Sequence, residues 1–500
     1  MKYVFLIFCL ALFLRLLYFP NDINFAYDQA RDAFVSLKVA HGDFITVGPP
    51  TTFFGIHHGS LFYYLFAPFY LLSNGSPLPL SFLLRILNSC GVFLVFLIAK
   101  NMFNKKSAII ASLIYAFSFE ETQFSLFLAH PSPAGITSLV FFWGITEVIF
   151  NKKEWGLLVA ALGLSLSTQF HFSMFILFLP AILYLFVFKK SFQFLSKKTY
   201  FFSALIIIFF MATFIYAELK FGFGNAKHSL EFAQSLATKN GTFVETLIKV
   251  IARYFRHNFI NLNYLYDINI VIFLVISFSV SYIFLKKEKQ KILFLLIWFV
   301  SGLLTFLPDN PIQPRYVSAM GTSISLIILF SFLLSKIKNK ALLIFLISSI
   351  CVSNFLLIRQ NNPFGTISEV NAQERMLLSD EKALLDYIYT SQIDESFSVN
   401  AVTIPYKINT TWSYLFEWYG MSKYNNLPLW AGDNALGFEG NLKLLSKRSE
   451  GPNTHYLIIE PSRGISENLI REFIENENNF TKVIEEKQFG KLIVQKRTRY

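Results

Sequence analysis

Charge is what this chain has least of. Asp, Glu, Lys and Arg make up 15% of its 500 residues, too few to cover a water-soluble protein of that size. Cysteine is almost missing: Cys9, Cys90 and Cys351 lie inside apolar runs and form neither a CxxC pair nor a metal-ligand spacing. They read as small packing residues, which excludes a disulfide scaffold and leaves the redox compartment open. No internal repeat and no low-complexity tract is present. Acidic residues are outnumbered, 32 against 44 basic ones, for a net charge of +12. That excess does not imply nucleic acid, because the lysines gather in short clusters between apolar runs and no nucleic-acid motif accompanies them.

What the chain has in excess is apolar surface. Hydrophobic residues make up 54%, with 59 Phe, and the mean hydropathy is +0.47. Runs of spanning length fall near 3–20, 79–103, 107–119, 133–150, 155–171, 172–188, 200–219, 268–285, 291–307, 316–335 and 341–358, which predicts a polytopic α-helical membrane protein of about eleven transmembrane helices. The first run has the charge and apolarity of a signal peptide but no small-residue cleavage site, and it reads as a retained helix. Its late Arg15 is expected to snorkel to the outer interface, with a place in the site as the alternative. Lysine clusters at 100–106, 152–153, 189–198, 286–291 and 336–340 mark every second loop, so the amino terminus is expected in the cytoplasm and residues past 358 outside.

The same topology puts residues 21–79 in a first outer loop. Two helices lying along the membrane surface are expected there, one over about 26–41 and one starting near Gly59. The turn-rich Gly48-Pro49-Pro50-Thr51-Thr52 between them is expected to bring Ile56-His57-His58-Gly59 back toward the first helix. After residue 358 charged residues and prolines become frequent, and apolar runs shrink to strand length at 456–459 and 491–494. Ser466 reads as the N-cap of a short helix. The expectation is therefore two domains, 1–358 in the membrane and 359–500 as an extracytoplasmic α/β domain.

Candidate chemistry concentrates in the outer loops. Asp28 and Asp32 are four residues apart and share a helix face, with Arg31 beside them. Carboxylates there can act as general base toward a hydroxyl or hold a divalent cation against a phosphate; an Asp at a helix start is equally an N-cap. His57 and His58 suit proton shuttling or phosphate donation, and two adjacent histidines alone are a weak metal signal. Glu120, Glu121 and His130 flank another outer turn. Arg315 and Tyr316 stand where two late helices meet, and a guanidinium suits an interfacial phosphate or an ion pair with Asp309. Gln169, His171 and Glu218 are polar groups at helix ends or interiors, suited to function or to interhelical hydrogen bonding.

Three motifs are similar to one family: Tyr27-Asp28-Gln29-Ala30-Arg31-Asp32, then His57-His58-Gly59-Ser60-Leu61-Phe62-Tyr63-Tyr64-Leu65, then Pro314-Arg315-Tyr316. Residues 1–358 resemble the polytopic GT-C glycosyltransferases of the protein O-mannosyltransferase and aminoarabinose-transferase superfamily, which use polyprenyl-phosphate sugars. The resemblance implies hexosyl or pentosyl transfer from a polyprenyl-phosphate donor to a protein, lipid or glycan hydroxyl on the outer face, with inversion. It makes Asp28 the base, with Asp32 as catalytic support. Arg31, His57, His58, Arg315 and Tyr316 would contact donor phosphate or substrate. Where the family often has Asp-Glu, this chain has Asp28-Gln29, so a second carboxylate or acceptor contact would come from Asp32, Glu120, Glu121 or His130. No cofactor is obligatory on this reading and no metal site is assigned, with a divalent cation left as an option. Two other classes fit the composition: a flippase for polyprenyl-linked glycans, and a non-catalytic scaffold binding glycan through Trp412, Trp418, Tyr419 and Trp430.

Overall fold

The computed structural model describes residues 2–51, 55–237, 243–259, 262, 288–303, 321–367, 373, 375–392, 394, 396–433, 435–461 and 465–500. Arg315, Tyr316 and the expected span 268–285 lie outside the described residues.

Through Phe364 every regular element described is helical. The first eight α-helices are α1 (Lys2–Leu16), α2 (Tyr27–Ala40), α3 (Leu61–Leu72), α4 (Leu78–Met102), α5 (Lys105–Phe117), α6 (Phe119–Leu126), α7 (Ser132–Asn151) and α8 (Trp155–Phe170). Among the described residues three helices are long and apolar enough to cross a membrane: α4, α7 and Lys340–Phe364. The pair Lys197–Phe210 and Ala212–Lys220, bent by 58°, makes a fourth if it is one span. Expected runs such as 155–171 and 172–188 are apolar but fold as shorter helices, Trp155–Phe170 and Phe172–Val187.

Local sequence explains where these helices stop and how closely they pack. Phe103-Asn104 separates α4 from α5, and the Asn104 side chain accepts from Ser107 N–H at 2.9 Å as the N-cap of α5. Helices α7 and α8 meet through glycine: a Cβ on Gly144 would lie 2.5 Å from Ala160 N, so only a missing side chain allows the approach.

Polar groups buried between these helices fix the exit of α1. Arg15 is 1% exposed, so it does not snorkel. It donates to Asn88 Oδ1 at 2.5 Å and to the Ala11 and Ala116 carbonyls, both at 3.1 Å, tying α1 to α4 and α5. The reason is local competition: protein acceptors engage its Nε and Nη1 at that depth, in place of the interface. One turn further out, Arg85 of α4 grips Asp22 with two bonds of 2.9 and 2.8 Å. Asp22 stands between α1 and α2, so this pair sets where α2 begins.

From Ser398 onward five strands form one mixed sheet in the order β2-β1-β3-β5-β4. They are β1 (Ser398–Val402), β2 (Leu429–Trp430), β3 (Thr454–Ile459), β4 (Thr481–Phe489) and β5 (Leu492–Arg499). β1 runs parallel to β2 and β3, with Val399 opposite Tyr456, and β5 is antiparallel to β3 and β4. Helix Glu467–Asn478 starts at Ser466, whose side chain accepts from Leu469 N–H. Trp412 and Trp430 are fully buried, so neither offers a ring face to a glycan.

This sheet-bearing part packs on α2. Tyr414 meets Phe25 and Phe34 edge on or tilted, with centroids 5.4 and 5.0 Å apart. Its hydroxyl donates to the Gly75 carbonyl. A backbone bridge joins Asn24 to Leu377, with Phe25 N–H donating to Met376 O and Leu378 N–H to Ile23 O, both at 2.9 Å.

Candidate active site

The first turn of α2 brings Asp28, Arg31 and Asp32 onto one face, and Arg31 joins the two acids. Its Nη1 is 2.7 Å from Asp28 Oδ1, while Nε and Nη2 reach Asp32 Oδ1 at 3.0 and 2.8 Å. Exposure separates the two carboxylates: the Asp28 side chain is 49% exposed and that of Asp32 is 3%. Burial alone would raise the Asp32 carboxyl, yet Arg31 and His130 hold it below the usual carboxylate value. Burial likewise disfavours the Arg31 charge, and the two acids outweigh it, raising its pKa well above normal. Tyr27 lies under the Arg31 guanidinium, 5.5 Å from its ring centroid, and Tyr63 of α3 faces Arg31 and Asp32.

Behind Asp32 three histidines from three segments converge. His130 Nδ1 is 3.4 Å from Asp32 Oδ2, and its ring lies 4.4 Å from that of His58, which lies 4.5 Å from that of His171. Residues 49–51 and 56–58 pair to make this contact, with Thr51 N–H bonded to Ile56 O and His58 N–H to Pro49 O. Gly59 lets the loop reach the end of α8, since a Cβ there would lie 2.2 Å from Gln169 Oε1. Adjacent residues of an extended segment point opposite ways, so His57 does not join His58. The His57 backbone N–H donates to Asn225 Oδ1 at 2.9 Å.

One ring nitrogen from each of His58, His130 and His171 lies within 4.8 Å of the others, all buried. A three-histidine zinc site needs a lone pair on each converging nitrogen, at about 2.0–2.1 Å from the metal. His130 fits, because Nδ1 faces a carboxylate and Nε2 has no partner among the described residues. His58 does not. Its Nδ1 accepts the Phe172 N–H at 3.0 Å, which places its own proton on Nε2. His171 Nδ1 likewise accepts the Ser173 N–H at 3.3 Å. Two N–H groups and one lone pair suit the oxygens of an anion better than a cation. Burial, with His130, His171 and Arg31 nearby, lowers the His58 pKa well below normal.

Residues 57–216 match the model of the dolichyl-phosphate-mannose-protein mannosyltransferase family. Among solved structures, ArnT from Cupriavidus metallidurans bound to undecaprenyl phosphate is similar over 99% of this chain and 98% of its own, with TM-score 0.62 and 10% identity. Its apo form gives TM-score 0.63 at 9% identity over the same shares. The fold is that of the GT-C glycosyltransferases. The archaeal oligosaccharyltransferase AglB from Archaeoglobus fulgidus, in complex with an inhibitory peptide and a dolichol-phosphate, matches 85% of this chain and 64% of its own at TM-score 0.50 and 13% identity. A search of curated protein sequences finds no match.

Within this GT-C frame the structure unites Asp28, Arg31, Asp32, His58 and His130. Glu121 goes elsewhere: it accepts from Asn88 Nδ2 at 3.1 Å inside the Arg15 network. Burial and Glu120 raise the Glu121 carboxyl to about 7 against the pull of Arg15. Glu120 is itself buried on the same short helix. His171 stood out in sequence only as a polar residue at a helix end. No spacing rule links it to His58 or His130, because the loops that join them do not encode a distance.

Proposed function

We propose that this chain is a membrane glycosyltransferase that moves a sugar from a polyprenyl phosphate to an acceptor hydroxyl on the outer face. Asp28 is the base on this reading. The observation that carries it is the division between two identical side chains: Asp28 is open on one side and oriented by Arg31 on the other, while Asp32 is closed in. An acceptor hydroxyl gives its proton to Asp28 as its oxygen bonds the anomeric carbon, and the sugar–phosphate bond breaks with its electron pair passing to the phosphate. Attack from the face opposite the leaving group inverts the centre. The N–H groups of His58 and His171 stabilise charge developing on the phosphate, with Arg31 behind them. Arg315 and Tyr316 are assigned to the same phosphate, and Glu120 or His130 to the acceptor.

The solved relatives that carry undecaprenyl phosphate or dolichol-phosphate support a polyprenyl-linked donor. The peptide in the second makes a protein acceptor the first to try. We further read the chain as about eleven spans over 1–358, with a cytoplasmic amino terminus and an outward domain over 359–500. Turnover of labelled polyprenyl-phosphate sugars in reconstituted membranes tests the proposal. Asp28→Asn is expected to slow transfer about 10²–10⁴-fold, the usual weight of a general base. Melting should stay near wild type because the side chain is half exposed, and normal turnover in that variant would refute the assignment.

A further inference from the structure

The helix that carries Asp28 begins without a cap of its own. Ala26 stands at the N-cap position, where a methyl group accepts nothing. The Ala26 N–H is served from within the helix by Gln29 Oε1 at 3.0 Å, but the Tyr27 N–H is served from elsewhere, by Gln373 Oε1 at 3.2 Å. Gln373 is 346 positions away in sequence and buried. Tyr27 is the immediate neighbour of Asp28, so this bond acts one residue from the base.

A primary amide presents an oxygen at one end and an NH₂ at the other, and only the oxygen can serve an N–H. Glu460, at the end of β3 and 2% exposed, decides the orientation. Its Oε2 accepts Gln373 Nε2–H at 2.8 Å and Ile404 N–H at 2.8 Å, and its Oε1 accepts Trp412 Nε1–H at 3.0 Å. Burial raises this carboxyl to about 8. With two donors converging on Oε2, a proton on the carboxyl belongs on Oε1, and Oε2 accepts in both states. The amide NH₂ therefore faces Glu460, and the oxygen faces α2.

We propose that Gln373, oriented by Glu460, is a positioning residue for Asp28, so that the sheet-bearing part of the chain sets where the base stands. This inference rests on the reading of Asp28 as base. The surrounding backbone adds to it: the bridge of Asn24 to Leu377, and Thr366 Oγ1 donating to Asn24 Oδ1 at 2.9 Å, hold the two segments in one register.

The test uses the full chain in membranes and three variants: Gln373→Ala, Gln373→Ala with Ala26→Ser, and Asp28→Asn. Two quantities are read, transfer kinetics and amide hydrogen exchange of the peptide covering residues 24–31. Gln373→Ala is expected to speed exchange in that peptide about fivefold, the size of a lost N-cap. It should lower kcat by a similar factor with KM for the donor unchanged, and leave exchange in β3 and β5 as in wild type. A serine at position 26 offers an acceptor to the neighbouring Asp28 and Gln29 amides, so the double variant should recover part of both quantities. Unchanged exchange at 24–31 overturns the inference. So does faster exchange there with unchanged kcat, and so does equal loosening of the sheet, which would mark a general loss of stability. Full turnover by Asp28→Asn would fell the base reading separately, since the exchange data decide the contact without it.

Discussion

Asp28 and Asp32 are one helical turn apart and chemically identical, and their surroundings make them different groups. Asp32 is buried between Arg31 and His130, and removing its charge leaves a buried guanidinium short of a partner. Asp32→Asn should therefore destabilise the protein by about 3 kcal/mol at neutral pH, as expected for breaking one side of a buried pair. The sign with pH follows from its lowered pKa: the stabilisation is present above the unfolded value of 3.8 and is lost as pH falls through the lower folded value. Melting curves of wild type and variant should converge in acid, and a gap constant down to that range would refute the coupling. The histidines make a second prediction at this scale. On the proposed reading, with protons on Nε2 of His58 and His171, the cluster suits an anion, so dialysis against a chelator should leave transfer at its starting rate and metal analysis should find no stoichiometric zinc. Loss of activity restored by zinc alone would reverse the tautomer assignment.

Short elements tie the longer ones together. The helix α6 has eight residues, yet it holds Glu120 and Glu121. Glu121 fixes it to Asn88 and through Asn88 to Arg15. Because burial raises the Glu121 carboxyl from 4.5 to about 7, the folded protein binds the extra proton. Stability from this group is complete below 4.5 and is lost as pH rises through about 7. Glu121→Gln carries a permanent neutral amide, so between pH 5 and 8 its melting temperature should fall less with pH than that of wild type. Parallel curves would show that Glu121 stays charged. The segment leading to His58 works in the same way: Thr51 pairs with Ile56 and Pro49 with His58, and Gly59 lets it touch Gln169. The turn residues around 48–52 made that reversal readable in the sequence. The contact with α8 was not, because it depends on where a separate helix ends.

At the scale of the whole molecule, lysine placement predicts orientation, and labelling checks it. Cysteines at Lys105 and Glu467 should react with an impermeant maleimide from opposite sides, Glu467→Cys from outside and Lys105→Cys only after the membrane is opened. Labelling of both from one side would overturn the proposed topology. Native Cys9, Cys90 and Cys351 serve as background controls. The buried Trp412 and Trp430 change what the sheet-bearing part is for. They build its core, and the surface it uses is the one against α2, where the Tyr414 ring and the 376–378 backbone meet residues 23–34.

The sequence by itself determined that the chain is a helical membrane protein with a sheet-forming end, that α2 starts near Asp28, and that Ser466 caps a helix. These are consequences of hydropathy, periodicity and local hydrogen bonding, which act over a few residues. Only the tertiary structure decided that Arg15 is an interhelical tie, that Asp28 is open while Asp32 is closed, and that His171 meets His58 and His130. It also joined Gln373 and Glu460 to the start of α2. Each of these depends on distances between groups tens to hundreds of positions apart, and such distances are fixed by helix packing and by burial, which no short window of sequence contains.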